Sequence, residues 1–372
     1  MPILLTVLAG LLAGQDILFQ PPASVKVDLP KDAPLALVSS EPGESRATAR
    51  GGALVLDLHM TLTFRNLSGR GIRGLTLLVL AQEVTPGGKA SVSVPSLNAG
   101  PNETVPVRVD LRLLRPLVRG EGPLVQVALD GVLFDDLSFY GPNKLNSRRS
   151  MTAWELEARR DREYFRGVFR AKGKEGLRDE ILASLGMQAK RSSISVRVAG
   201  RGRSTAVEPE RQVRFAFLHV PGAPVEPVYG VAKAAGNAAS YPVLEVENRS
   251  GRDVRYFEMD WIIRDREGRE FLAGTIPSTE AGQALKPGKK AVAAYTKSLE
   301  FAASDRPVSI EGMTSFVSLV EFADGGIWIP SRPFVSDARL RELSGASPEE
   351  ERLTGLYRRK GLQALIDELN RH

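Results

Sequence analysis

Few residues of this chain have the type and spacing to do chemistry, and most of those lack the partners that chemistry needs. Gly69-Arg70-Gly71-Ile72-Arg73-Gly74 spells the G-x-G-x-x-G string of dinucleotide-binding turns and directly follows an alternating apolar stretch. A nucleotide site requires a helix next, because the helix amino terminus holds the pyrophosphate. The next residues, LTLLVL, read as a strand instead. His59, His219 and His372 stand apart, with no second histidine or carboxylate at metal-ligand spacing. Asp135 and Asp136 are adjacent, and neighbours on a strand point to opposite faces, so a loop surface is the expected setting. There is no G-x-S-x-G elbow and no G-x-x-x-x-G-K-S/T loop. The absence of cysteine excludes disulfides, zinc–thiolate sites and thiol catalysis. The sequence therefore assigns no catalytic, cofactor-binding or metal-binding residue. A site between the two halves of the chain is the enzyme alternative, and no motif supports it.

The remaining chemical signal is positive charge. Lys144 to Lys174 holds ten basic and four acidic residues, a net +6 equal to that of the whole 372-residue chain. On a helix at 100° per residue, Arg159, Arg162, Arg166 and Arg170 fall within about 80° of one another. Such a stripe is a candidate contact for an anionic surface, either lipid or cell-wall polymer. The alternative is a solvated face, since Glu155 and Glu163 each lie four residues from Arg159. Lys190, Arg191, Arg197, Arg201 and Arg203 extend the basic run.

These residues have to be positioned by β-structure. Leu54, Leu56, Leu58, Met60, Leu62 and Phe64 alternate with mostly polar residues, as do Val105, Val107, Val109 and Leu111. That period of two predicts strands with one buried and one wet face. Asp130-Gly131, Asp265 to Gly268 and Asp324-Gly325 read as hairpin turns. Between the strand-rich stretches the pattern turns helical. Thr152 with Glu155 reads as a capping-box start, and Trp154, Ala158, Phe165, Val168 and Phe169 share one face, interrupted by Asp161. A last helix is expected from Ser347, with Pro348 in its first turn and Glu350 at the third position.

The chain also repeats itself. FRNLSGRGIRGL stands against VENRSGRDVRYF, with Asn66 and Asn248 182 positions apart (248 − 66). Leu62 and Phe64 match Leu244 and Val246 in phase, and Leu75, Leu77 and Val79 match Phe257, Met259 and Trp261. Farther on, GVFRAKG from Gly167 matches GLYRRKG from Gly355 at an offset of 188 (355 − 167). Similarity at a fixed offset points to one unit used twice, here a β-domain followed by a short helical tail.

The resulting expectation is a mainly β fold of tandem duplicated Ig-like β-sandwiches, each followed by a short helical segment. Residues 1–14 contain a 12-residue apolar run, too short to span a bilayer, and read as a signal peptide with the mature chain starting near Gln15. Residues 22–142 form the first sandwich, 147–187 a basic helical linker, 192–335 the second sandwich and 336–372 a helical tail. The second half resembles a bacterial Ig-like domain of the FxLYD type. The likeness rests on the strand ending in Asn248-Arg249-Ser250-Gly251, the Asp265 to Gly268 hairpin, and Leu285-Lys286-Pro287-Gly288 leading into a later strand. It implies an envelope-associated, non-catalytic sandwich module without active-site residues. The functional expectation is an exported (periplasmic or extracellular) binding or structural module without cofactor or transmembrane helix, whose partners are proteins of the envelope. The alternative is an accessory subunit docking on anionic lipid or polymer through the basic helix, with nucleic acid disfavoured.

Overall fold

The computed structural model describes residues 16–18, 24–82, 87–117, 122–188, 194–198, 208–276, 284–295, 298–303, 306–343 and 346–371. The signal-peptide expectation and Lys190, Arg191, Arg201 and Arg203 lie outside these residues. The chain divides into two units, Met1–Glu155 and Leu156–His372. Both are dominated by strands, so the fold is mainly β.

The first unit contains β1 (Asp16–Leu18), β2 (Val25–Asp28), β3 (Leu35–Glu41), β4 (Arg46–Arg50), β5 (Ala53–Asn66), β6 (Ile72–Leu80), β7 (Lys89–Val94), β8 (Thr104–Pro116), β9 (Val125–Phe134) and β10 (Phe139–Tyr140). One sheet runs β1-β4-β5-β3, with β8 pairing β5 along its other side; the second runs β10-β9-β6-β7, with β2 parallel to β9. The alternating residues of β5, Leu54 to Phe64, are each at most 4% exposed. They meet Leu75, Leu77 and Val79 of β6 and Val125 and Val127 of β9 in one core. Each such buried side chain contributes about 1.5–3 kcal/mol, and a one-residue slip of β5 would turn the whole set outward.

Asp130-Gly131 is not a hairpin turn: β9 runs straight through it. The Asp130 carboxylate, 1% exposed, accepts hydrogen bonds from Ser147 Oγ (2.6 Å) and the Lys144 amide (2.8 Å). The Phe139 ring covers Gly131 so closely that a Cβ there would sit 2.3 Å from it. Asp and Gly are here a buried pin and a close approach. The helix after them, α1 (Ser147–Gln188), starts at Ser147, upstream of the expected Thr152–Glu155 cap.

The second unit holds most of α1 and then β11 (Ile194–Val198), β12 (Arg211–Phe217), β13 (Val225–Ala235), β14 (Ala238–Asn248), β15 (Val254–Asp265), β16 (Glu270–Ile276), β17 (Lys290–Ala294), β18 (Leu299–Ala303), β19 (Arg306–Pro307), β20 (Ile310–Phe322) and β21 (Ile327–Trp328). After these come α2 (Arg332–Val335), α3 (Ala338–Leu343) and α4 (Pro348–Asn370). Here the strands form one sheet in the order β11-β18-β14-β13-β12-β20-β15-β16, and its ends β11 and β16 approach to leave it nearly closed. The joint is β12. Its first half pairs antiparallel with β13 and its second half parallel with β20, so one strand belongs to both faces. In the first unit the parallel strand β2 is four residues long and pairs only with β9, which leaves that unit as two separate sheets.

The two Asn turns carry the same hydrogen bonds. Asn66 Nδ2 donates to the Arg70 carbonyl at 2.8 Å, and its Oδ1 accepts from Ser68 N (2.9 Å) and Ser68 Oγ (2.7 Å). Asn248 does the same with Arg252 and Ser250 at the same distances. Both Asn are fully buried. Arg70 then stacks over Phe134 and pairs with Asp136, as Arg252 stacks over Phe322 and pairs with Asp324. The expected Asp265 and Asp324 turns are present, closed by the Gly268 and Gly325 amides.

Candidate functional site

The residues of interest gather in the second unit, where α1 and α4 meet. Each helix is broken at a glycine: Gly173 (φ 67°, ψ −160°) in α1 and Gly361 (φ 80°, ψ −178°) in α4. That region of backbone space is open in practice only to glycine. These glycines close the matched strings GVFRAKG and GLYRRKG, so each tail is a helix–kink–helix hairpin. The hairpins close alike. Tyr164 donates to Glu180 across the kink in the first tail, and Arg352 donates to Glu368 at 2.6 Å in the second. The residues in these roles, Tyr164 and Arg352 and then Glu180 and Glu368, stand 188 apart (352 − 164).

The hairpins share one apolar core built from matched positions: Phe165 with Leu353, Leu177 with Leu365, and Ile181 with Leu369, all at most 1% exposed. Beside it lies a buried set of charges. Arg162 donates to Glu349 (3.1 Å), which also holds Arg352. Asp161, wholly buried, accepts from Arg332 Nη1 (2.9 Å) and Ser347 Oγ (2.5 Å). Arg332 Nη1 also reaches Glu350 (3.3 Å), which accepts from Ser184 Oγ (2.6 Å). By the same offset Asp161 matches Glu349, and Arg162 matches Glu350. Exact matching would give two Arg–carboxylate pairs. The second tail has Glu where the first has Arg, so Asp161 and Glu350 are both acids, and Arg332 stands between them.

Burial works against the charged Glu349, but Arg352 and Arg162 outweigh it and hold the carboxyl below its usual range. Glu180 is likewise held low against burial by Tyr164 and Arg341. Arg332 is desolvated, yet Asp161 and Glu350 raise its pKa and keep it charged. Its guanidinium also lies 4.4 Å from the Tyr164 ring centre.

A cavity of about 190 Å³ opens next to this network, between α1, β15, β20 and the segment from Pro330 to Glu350. Glu157, Arg160 and Asp161 of α1, Asp260 of β15, and Ser318 of β20 line it together with Arg332 and Ser336. Burial raises the pKa of the Glu157 carboxyl to about 7, helped by Asp161, Asp260 and Glu258 and opposed by Arg160. A carboxyl with this titration can hold or release a proton near neutrality, and when ionised it can pair with a cation.

The four arginines expected on one anionic-surface stripe all lie on α1 before its break at Gly173, but they do not form an open stripe. Arg162 is 3% exposed and spent on Glu349. Arg166 and Arg170 both pair with Glu163, and Arg159 is half-buried. Charge periodicity placed them on one side of a helix, but the second tail covers part of that side. The G-x-G-x-x-G run leads into β6 and has no helix after it. His59 lies on the wet face of β5, where its Nδ1 is 3.0 Å from Asp110 of β8. Asp135 and Asp136 sit in a surface turn and bond Gly71 N and Ser138. Sequence reasoning missed Glu157 and Asp260. The only available signal was an acid in the middle of a strand whose counterpart, by the 182 offset, is Leu78.

Among the described residues, no helix is long and apolar enough to cross a membrane. No family model matches the chain, and no curated protein matches it. Among solved structures, a transglutaminase from red sea bream is 9% identical and covers 77% of this chain and 31% of its own, with a TM-score of 0.14. A β-glucosidase from Kluyveromyces marxianus is 10% identical over 73% of this chain and 45% of its own, at a TM-score of 0.15. A two-domain protein of unknown function from Bacteroides fragilis is 8% identical over 82% and 94%, at 0.10. The chain thus spans less than half the length of the first two. Likenesses at these scores carry no argument about fold or function.

Proposed function

We propose that this chain is a non-catalytic binding or structural module of a bacterial cell envelope, made of two duplicated Ig-like units whose tails are locked together. The observation that carries this reading is the use made of buried charge. Asp161, Arg162, Arg332, Glu349, Glu350 and Arg352 are engaged with one another across the tail interface. On this reading the engaged charges serve to hold the two tails in one arrangement, and the strands and loops of the units are left to meet a protein partner. The matched Asn turns and matched kinks support duplication, because chance would not reproduce turn residues, bond pattern and offset together. The apolar run at residues 3–14 supports export.

The test is fractionation of cells making the full chain, with the mature amino terminus read by mass spectrometry. The reading expects the protein in the periplasmic, surface or secreted fraction, starting near Gln15. A cytosolic protein with Met1 intact would overturn it.

A further inference from the structure

The cavity beside the tails opens at a position that the two halves of the chain use differently. Ser318 on β20 corresponds to Asp130 on β9, 188 positions earlier (318 − 130). Asp130 is satisfied in its place, because its carboxylate binds Ser147 Oγ and the Lys144 amide at the start of α1. Ser318 is shorter, and its buried Oγ has no hydrogen-bond partner among the described residues. The same holds for two more groups of residues lining the cavity, Ser336 Oγ and Arg332 Nε. Buried polar groups are nearly always hydrogen-bonded, so three of them around one hollow ask for an occupant.

The charged groups of the wall are committed to one another. Arg332 uses Nη1 on Asp161 and Glu350, Arg341 pairs with Glu180, and Arg160 holds Asp161 and the Pro330 carbonyl. Asp260 has a partner of its own, and Glu157 feels the pull of Arg160. A cation would find no uncommitted carboxylate here, and it has no acceptor to offer Arg332 Nε. An anion could accept from Arg332 Nε, but it would stand beside Asp161, Asp260, Glu342 and Glu350. What the wall offers is one obligate donor, Arg332 Nε, and two hydroxyls that can each donate or accept. A neutral hydroxylated molecule answers all three, since each of its hydroxyls also donates and accepts. Phe316, Val335 and Leu340 complete the wall with apolar surface, which suits the carbon chain of such a molecule better than water alone. At roughly 30 Å³ per water-sized group, 190 Å³ admits a molecule of about six non-hydrogen atoms.

We propose that this cavity is a binding site for a small neutral polyol, held by hydrogen bonds to Arg332 Nε, Ser318 Oγ and Ser336 Oγ. The proposal goes beyond the reading of the chain as an envelope module and does not depend on where the protein resides.

The test is a titration of the purified full chain with glycerol and, separately, with n-butylammonium and lactate, probes of similar size and different charge, followed by NMR. The site predicts saturable one-to-one binding of glycerol, on the order of millimolar for so small a ligand. The two ions should bind at least about tenfold more weakly, a gap of about 1.4 kcal/mol. In the parent, the Arg332 Nε–H resonance should shift along the same curve as glycerol binding. Ser318→Ala and Ser336→Ala should each weaken glycerol by about threefold to tenfold, and the double variant by about tenfold or more. Circular dichroism of each variant, matched to the parent, separates loss of the site from loss of the fold. Absent or non-saturable glycerol binding, as for a hollow that takes water alone, would overturn the proposal. So would either ion binding as tightly as glycerol, a stationary Arg332 Nε–H resonance, or unchanged glycerol binding in the folded double variant.

Discussion

Glu157 shows how one residue can set a pH dependence for the unit that contains it. Its pKa is raised by burial and by Asp161, Asp260 and Glu258, against the pull of Arg160, from 4.5 to about 7. The folded state then keeps the proton over a range in which the unfolded chain has lost it. The contribution to stability is full below about pH 4.5, declines as pH rises to about 7, and stays constant above that. The loss is on the order of 3 kcal/mol. Glu157→Gln should therefore flatten the fall between pH 5 and 8 in denaturant midpoints and stabilise the protein at pH 8. An unchanged slope would show that this carboxyl is already well hydrated.

The paired asparagines make an independent prediction at the same scale. Asn66 and Asn248 are wholly buried and satisfy carbonyls of the turns after them, and Asn66 Nδ2 also meets the Ala99 and Gly100 carbonyls. Replacing either by Ala leaves several buried groups unpaired, at about 2–4 kcal/mol. Equilibrium unfolding of the two variants should show similar losses. These turns were legible in the sequence because the Asn-x-Ser-Gly string is local. Glu157 was not, because its environment is assembled from α1 and β15, about a hundred residues apart in the chain.

Among the elements, the tails were legible as amphipathic repeats, but their kinks were not. Gly167 and Gly173 look alike in the sequence, yet only Gly173 has positive φ. A Cβ at Gly167 meets nothing within 4 Å. The two positions should therefore respond with opposite signs. Gly167→Ala should stabilise α1 by about 0.5–1 kcal/mol, whereas Gly173→Ala and Gly361→Ala should each cost about 1–3 kcal/mol. Thermal unfolding of the three variants checks this, and equal effects at Gly167 and Gly173 would contradict the kink assignment. Asp161 was legible only as a break in the apolar face. Its buried setting needs Arg332 and Ser347, more than 150 residues away in the chain, and no periodicity within the helix reports them. The same limit explains the arginine stripe, since helical geometry grouped the four residues but could not say that Arg162 faces Glu349. At β9 a turn-forming pair, Asp130-Gly131, ran on as strand because the tertiary contacts of both residues outweigh local preference.

For the molecule as a whole, strand alternation and repeat phase gave the mainly β class, while joining into one sheet or two rested on the length of β12, which local pattern did not measure. The central claim is that the two tails pack through matched positions, and that Arg332 compensates where Arg162 is matched by Glu350. A double-mutant cycle on the full chain tests it most directly, with unfolding free energies measured for Arg332→Ala, Glu350→Arg and the double variant. In the parent, Arg332→Ala leaves Asp161 and Glu350 without their shared cation and should cost about 3–5 kcal/mol. Glu350→Arg restores the first tail's residue type and gives Asp161 a new partner, so in that background Arg332→Ala should cost about 1 kcal/mol. The predicted coupling is then at least about 2 kcal/mol, well above the scatter of independent sites. Equal costs of Arg332→Ala in both backgrounds would contradict the claim.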